Sequence, residues 1–300
     1  MENSCQLKRF PIYYTKTEYF VNGCEEMKDK MSKMPYIIFG ILTLYLALQY
    51  LFIYLIDIRN VFGWQQGLID EGEAPVPLLW YVLNQDAFLT EIIAWTFLIV
   101  AMLMTGIIAG IMLANKNIYT KPFLLLAGGF TLMILEDVAN IRHMLRTVIT
   151  LPLGYAAMEG YNSAIGIVIE FVVYILLASL MVYPVYKLLP FILKHKNIRN
   201  SLLVGYAFYG LAAFLSASRH ISNWYGRAGE AIINHFDLYS IQTWAIARDY
   251  FEAHERTLGF HLIDYLFEET LEIIASAFLA IAMIYIFVIL KKQNYKIEKG

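Results

Sequence analysis

The sequence predicts an all-α polytopic bundle of six transmembrane helices in the cell membrane, with the N- and C-termini cytoplasmic. Three observations carry this. Of the 300 residues, 59% are hydrophobic and only 16% are charged, with a mean hydropathy of +0.54, whereas soluble domains carry about 25% charged residues. Six apolar runs come close to the ~20 residues needed to cross the hydrocarbon core. All fourteen lysines fall in the two terminal segments or in the second and fourth connections, the bias that marks cytoplasmic segments. An even number of spans agrees with two basic ends.

Residues 1–34 read as a cytoplasmic tail or short surface helix. They show no signal-peptide order of basic, apolar and small-residue regions. The two cysteines, Cys5 and Cys24, both lie there and do not make a disulfide framework. The transmembrane domain is expected over 35–292, followed by a cytoplasmic tail at 293–300. Span one runs from Pro35 to Ile56. A glycine-rich acidic connection (58–77) leads to a short interfacial helix, Leu78 to Ala87. Span two covers Phe88 to Leu113, and Lys116 and Lys121 bracket a tight turn. Span three is expected from Pro122 to Leu145, span four from Ser163 to Tyr186, and span five from Ser201 to Ser218. The long connection 221–258 caps the bundle outside the cytoplasm, and its part 237–256 has the periodicity of a surface helix. Span six is Gly259 to Leu290. A net charge of −2 offers nucleic acid no basic surface.

Span six carries the polar signal. At 100° per residue, His261, Asp264, Glu268 and Glu272 fall on one stripe, with Glu269 beside it. In span three, Glu136, Asn140 and His143 share a face next to Asp137. Glu91 opens span two, Glu170 lies two turns into span four, and Arg219 and His220 close span five. The lysine orientation gathers these groups in the outer half of the bilayer, with Glu136 near mid-depth and Glu272 deeper than the rest of its stripe. Ionisable groups at that depth are costly, so they are expected to face a protein interior, a cavity or a metal.

Histidine with several carboxylates and no cysteine is a ligand set for iron, manganese or zinc. The expected ligands of one or two divalent ions are Glu136, His143, Glu170, His220, His261, Asp264 and Glu268. Glu91, Asp137, Asn140, Arg142, Arg219, Glu269 and Glu272 would lie around them or balance their charge. A divalent ion would relieve the repulsion among these carboxylates. A membrane oxidase or hydrolase acting on a lipid or other apolar substrate is then the leading function. A b-type haem fits the many carboxylates poorly. The alternatives are cation or proton transport along the same carboxylates, for which no inverted repeat or broken helix is evident, and a structural or sensory subunit held by Glu/Arg/His pairs.

Two segments, LEDVANIRH and LFEETLEIIA, resemble those of multi-span bacterial membrane proteins with Asp-x-Ala-x-x-x-His in one helix and Glu-Glu-x-x-Glu in the last. Asp137, Ala139 and His143 match the first, and Glu268, Glu269 and Glu272 match the second. Arg142 departs from that pattern, as does the lack of a second acidic residue after Asp137. The resemblance implies a multi-span membrane fold and brings no activity with it.

Overall fold

The computed structural model describes residues 17–63, 76–84, 88–153, 164–219, 221, 223–253 and 256–298. The described chain is helical throughout its ordered elements, and six of its helices are long and apolar enough to cross a membrane. The spans lie in α1 (Thr17–Ile53), α3 (Leu89–Ala114), α4 (Thr120–Ala139), α6 (Ala164–Ile192), α7 (Lys196–Ser218) and a last helix. The last helix begins as α10 (Leu258–His261), passes through a π turn (Leu262–Glu268) and continues as α11 (Glu269–Glu298). The shorter helices are α2 (Leu79–Leu83), α5 (Ile141–Thr150), α8 (Trp224–His235) and α9 (Gln242–Glu252).

α11 is the centre of the bundle. In the last span 72% of the most apolar stretch is buried, against 22% in α1 and in α6. It packs on α7, α3 and α1; α4 bridges α3 and α6; α6 and α7 close the ring with a much shorter contact. Lipid is as apolar as leucine, so helices associate in it through close packing and not through the hydrophobic effect. The sequence supplies that closeness. Ala275, Ser276, Ala277, Ala280 and Ala282 keep α11 thin on several sides, all buried. On α7, a Cβ at Gly205 would lie 2.9 Å from Leu279. Facing α11, α3 buries Ala94, Leu98, Ala101, Thr105, Ile108 and Met112 at alternating spacings of four and three.

Two elements differ from the sequence reading. The expected single span from Pro122 to Leu145 is two helices. Asn140 takes a left-handed conformation, φ 50°, that ends α4 and starts α5 in a new direction. Asparagine is one of the few residues with routine access to that region. The cap holds two helices where one was expected over 237–256, since α8 precedes α9. Residues 1–16 of the expected tail lie outside the described residues, and Thr17 onward already continues α1.

The cap forms a second apolar core at one end of the bundle, opposite the lysine-bearing turns. Trp80, Trp244, Phe251, Leu258, Leu262 and Leu266 pack together there. Its anchor is Asp57, fully buried at the end of the first span. The Asp57 carboxylate accepts the N–H groups of Leu79 (2.8 Å) and Trp80 (2.9 Å), the exposed donors at the start of α2. Its carbonyl accepts the Trp244 indole N–H at 2.9 Å. The last helix enters the cap by crossing α8 backbone to backbone. A Cβ at Gly229 would sit 1.8 Å from the Gly259 carbonyl oxygen, and one at Gly259 would sit 2.3 Å from the Glu230 nitrogen. At the same crossing Glu230 accepts the Gly259 N–H at 3.0 Å and the Tyr239 hydroxyl at 2.6 Å. An acidic group at a helix N-terminus is favoured by the local dipole, and Thr257 adds a side-chain cap to the Phe260 N–H.

Because that contact involves two backbones, it cannot be relieved by a rotamer change. Gly259→Ala is expected to cost about 3 kcal/mol or more, the upper end of overpacking penalties. Hydrogen exchange is the measurement: amides of 224–252 should lose protection while those of 273–288 keep it. Equal protection in both proteins would show that the crossing does not hold the cap.

Candidate functional site

The alternating spans bring the ionisable groups of the sequence into one layer at the capped end. Glu91 is in the first turn of α3, Glu136 and Asp137 in the last turn of α4, Glu170 near the start of α6, and Arg219 closes α7. Asp264, Glu268, Glu269 and Glu272 follow along the last helix. The segregation expected from the sequence is present, but several of its carboxylates are taken up by arginine, tyrosine and tryptophan partners.

Arg146 holds Glu170 at 2.6 Å, both 1% exposed. Arg219 holds Asp264 at 2.7 Å and also donates to the Ser216 hydroxyl at 2.9 Å. Tyr225, fully buried on α8, donates its hydroxyl to Glu268. Trp95 donates its indole N–H to Asp137 at 2.6 Å. The His261 ring is stacked on Phe251 (4.1 Å between centroids) and on Tyr265 (5.4 Å), with Tyr81 edge-on. Glu269 is buried within electrostatic range of Glu272, Glu91 and Asp137.

The expected metal site is therefore corrected. Among the described residues no three His, Cys, Asp or Glu side chains converge so as to hold a metal ion. Of the proposed ligands, Glu170, Asp264 and Glu268 are engaged by Arg146, Arg219 and Tyr225, and His261 is in an aromatic stack. Among the described residues, iron, manganese and zinc lose their ligand set. The oxidase, the hydrolase and the cation carrier imagined on that cluster lose their common basis. The physical reason is helix phase. The stripe through His261, Asp264, Glu268 and Glu272 assumes 100° per residue, but the π turn over Leu262–Glu268 winds by less than that and turns His261 away from the side that the carboxylates share. The shared face of Glu136, Asn140 and His143 fails in the same way, because Asn140 is left-handed and exposed. His220, and the side chains of Arg142 and His143, lie outside the described residues.

What the fold does bring together is Glu136, Asp137 and Glu272. They line a small pocket with Tyr174, Tyr209 and Ser276, enclosed by α3, α4, α6, α7 and α11. Its volume is about 10 Å³, close to the space one water needs. Directly adjoining it, towards the middle of the bundle, is an apolar cavity of about 200 Å³ lined by Leu177, Met181, Tyr206 and Leu279 among others. Met133, Tyr174, Tyr209 and Ala213 are walls of both. The combined space is amphipathic, with a hydrogen-bonding end below the cap and an apolar body at mid-span.

Several residues central to this arrangement escaped the sequence reading. Arg146 and Asp57 looked like residues at the ends of spans, and Tyr225 was one aromatic among many in the cap. A usable signal existed for α8, where Gly226 and Gly229 recur on one face. No protein-family model matches the chain, and neither does any curated protein or solved structure. The fold and the site together define a six-span α-helical membrane protein with an internal amphipathic cavity.

Two predictions test the pairs. Breaking one partner of a buried ion pair costs about 3–5 kcal/mol, while replacing both with apolar residues recovers most of it. Arg146→Leu is expected to lose that much stability in denaturant titration, and Arg146→Leu with Glu170→Leu to regain it. A double variant as unstable as the single would show that the pair contributes nothing jointly. In the cap, burial first, and then the nearby Glu268 and Asp264 charges, push the Tyr225 hydroxyl well above its ordinary range. A raised folded-state value keeps its stabilisation below the unfolded tyrosine value of about 10 and loses it as pH rises above that. Cap protection should be flat in this respect up to about pH 10 and fall above it, and Tyr225→Phe should flatten that fall.

Proposed function

We propose that the protein binds an amphipathic small molecule within the bilayer, with the apolar body in the mid-span cavity and the polar head against the Glu136, Asp137 and Glu272 pocket. The observation that supports this reading is the adjoining of the two spaces through shared walls, Tyr174, Tyr209 and Ala213 among them. A polar head taken out of water needs hydrogen-bond partners, and the carboxylates supply them at one end only. The apolar end, with Leu177, Met181 and Leu279, offers a chain or ring nothing but contact. The two segments that carry the family resemblance contribute Asp137 and Glu272 to the polar end. This reading requires no metal and no cofactor.

The test uses purified protein in phosphatidylcholine nanodiscs with three probes of equal chain length: decanol, decylamine and decane. A probe at about 100 times its Kd stabilises the folded protein by about 2.7 kcal/mol. Decanol, decylamine or both should raise Tm well beyond decane. Ala213→Phe, on the shared wall, should remove that rise, and Leu103→Phe, on the lipid-facing side of α3, should keep it. An equal rise in wild type and Ala213→Phe would reject the site.

A further inference from the structure

We infer that the ligand is a single-chain amphiphile of the capped leaflet, admitted sideways between α6 and α7 past a latch formed by Tyr206. The inference rests on the binding reading above and adds the source of the ligand and its route.

The cavity opens to the side and not to water. Ala178, Val182 and Gly210 line it and also lie on the outside of the bundle, Val182 with 56% of its surface exposed. These positions are near the middle of α6 and α7, so the opening faces the hydrocarbon core. The two helices are loosely joined neighbours, and α6 buries little of its most apolar stretch. A molecule reaching this opening must already be dissolved in the membrane.

Depth and direction select the leaflet. The hydrogen-bonding end lies in the last turn of α4 and the first turn of α11, just below the cap, while the apolar end reaches Leu279 and Met181 at mid-span. A lipid of the capped leaflet already has its head towards the cap and its chain towards the midplane. It enters by moving sideways without turning over. A lipid of the other leaflet would have to carry its head across the apolar midplane, which is costly. Size selects the chain number. At about 200 Å³ the cavity is below the range of about 300–1,000 Å³ typical of sites for drug-sized ligands, so it takes one chain and not two.

The seam has a latch and a weak point. The Tyr206 hydroxyl on α7 donates to the Met181 carbonyl on α6 at 3.2 Å, and both residues are cavity walls. Three residues further on is Pro184, inside α6. It has no N–H to give to the Leu180 carbonyl, so the helix ladder is interrupted beside the latch. Releasing one hydrogen bond next to an interrupted ladder lets α6 swing away from α7.

Exchange kinetics test this. Nanodiscs of diacyl phosphatidylcholine holding the full chain are loaded with dodecanol and mixed with vesicles containing perdeuterated dodecanol, and native mass spectrometry follows the replacement. One dodecanol should be retained per chain. Exchange should slow by about ten-fold in Gly210→Phe and quicken by about five-fold in Tyr206→Phe, the kinetic equivalent of one neutral hydrogen bond. A Cβ at Gly210 meets nothing within 4 Å, so the ring has room to fill the seam. Bound dodecanol that exchanges at one rate in all three proteins would overturn the sideways route and leave the binding reading standing. A diacyl lipid retained by wild type and absent from Ala213→Phe would overturn the single-chain assignment and likewise leave the binding reading standing. No retained dodecanol, together with no stabilisation by decanol or decylamine, would overturn both. Should Gly210→Phe fail to fold, an unchanged rate in Tyr206→Phe is enough to reject the latch.

Discussion

The capped end of this protein depends on how the last helix turns between Leu262 and Glu268. In a regular α-helix His261, Asp264, Glu268 and Glu272 would form one acidic stripe pointing at one neighbour. The π turn winds by less than 100° per residue and turns His261 away from the carboxylates. His261 goes to the aromatic residues of the cap, Asp264 to Arg219 on α7, and Glu268 to Tyr225 on α8. Glu272 is left to line the interior pocket. The residues that would have made a ligand cluster are thus three tethers and one pocket wall.

Those tethers make sense in a membrane, where burial of apolar surface gives helices no preference for each other over lipid. Specific contacts must fix the arrangement. At mid-bilayer this is done by close approach, as at Gly205 against Leu279, and at Gly129, where a Cβ would lie 2.4 Å from the Met181 sulfur. At the capped end it is done by buried polar pairs, each joining different elements: Arg146 with Glu170 links α5 to α6, and Arg219 with Asp264 links α7 to the last helix. A buried pair of this kind adds little net stability compared with apolar residues, but losing one partner is severe. The pairs therefore act more to fix register than to supply stability.

The same two principles explain where the cavity is. α6 approaches α4 closely at Gly129 and is tied to α5 at its capped end, yet it meets α7 only briefly. Ala178, Gly210 and Ala213 are too small to fill the gap between α6 and α7, and with Tyr174, Tyr206 and Tyr209 they line the space that is left. The interior is amphipathic because the acidic residues are confined to the helix turns nearest the cap, while the turns below are apolar.

The sequence by itself determined the six spans, the even topology with basic connections at one end, and the gathering of ionisable residues at the other. These follow from composition and from the length of each apolar run, which are properties of one segment at a time. It also put Glu136, Asp137 and Glu272 among the residues of one polar cluster. Only the tertiary structure decided which of those residues meet. Facing depends on helix phase, and phase was reset at the left-handed Asn140 and across the π turn, neither of which alters the hydrophobic pattern. The roles of Arg146, Asp57 and Tyr225 were invisible for a related reason. Each acts on a partner more than twenty residues away in the chain, and such pairings are fixed by packing, which spacing along one helix does not encode.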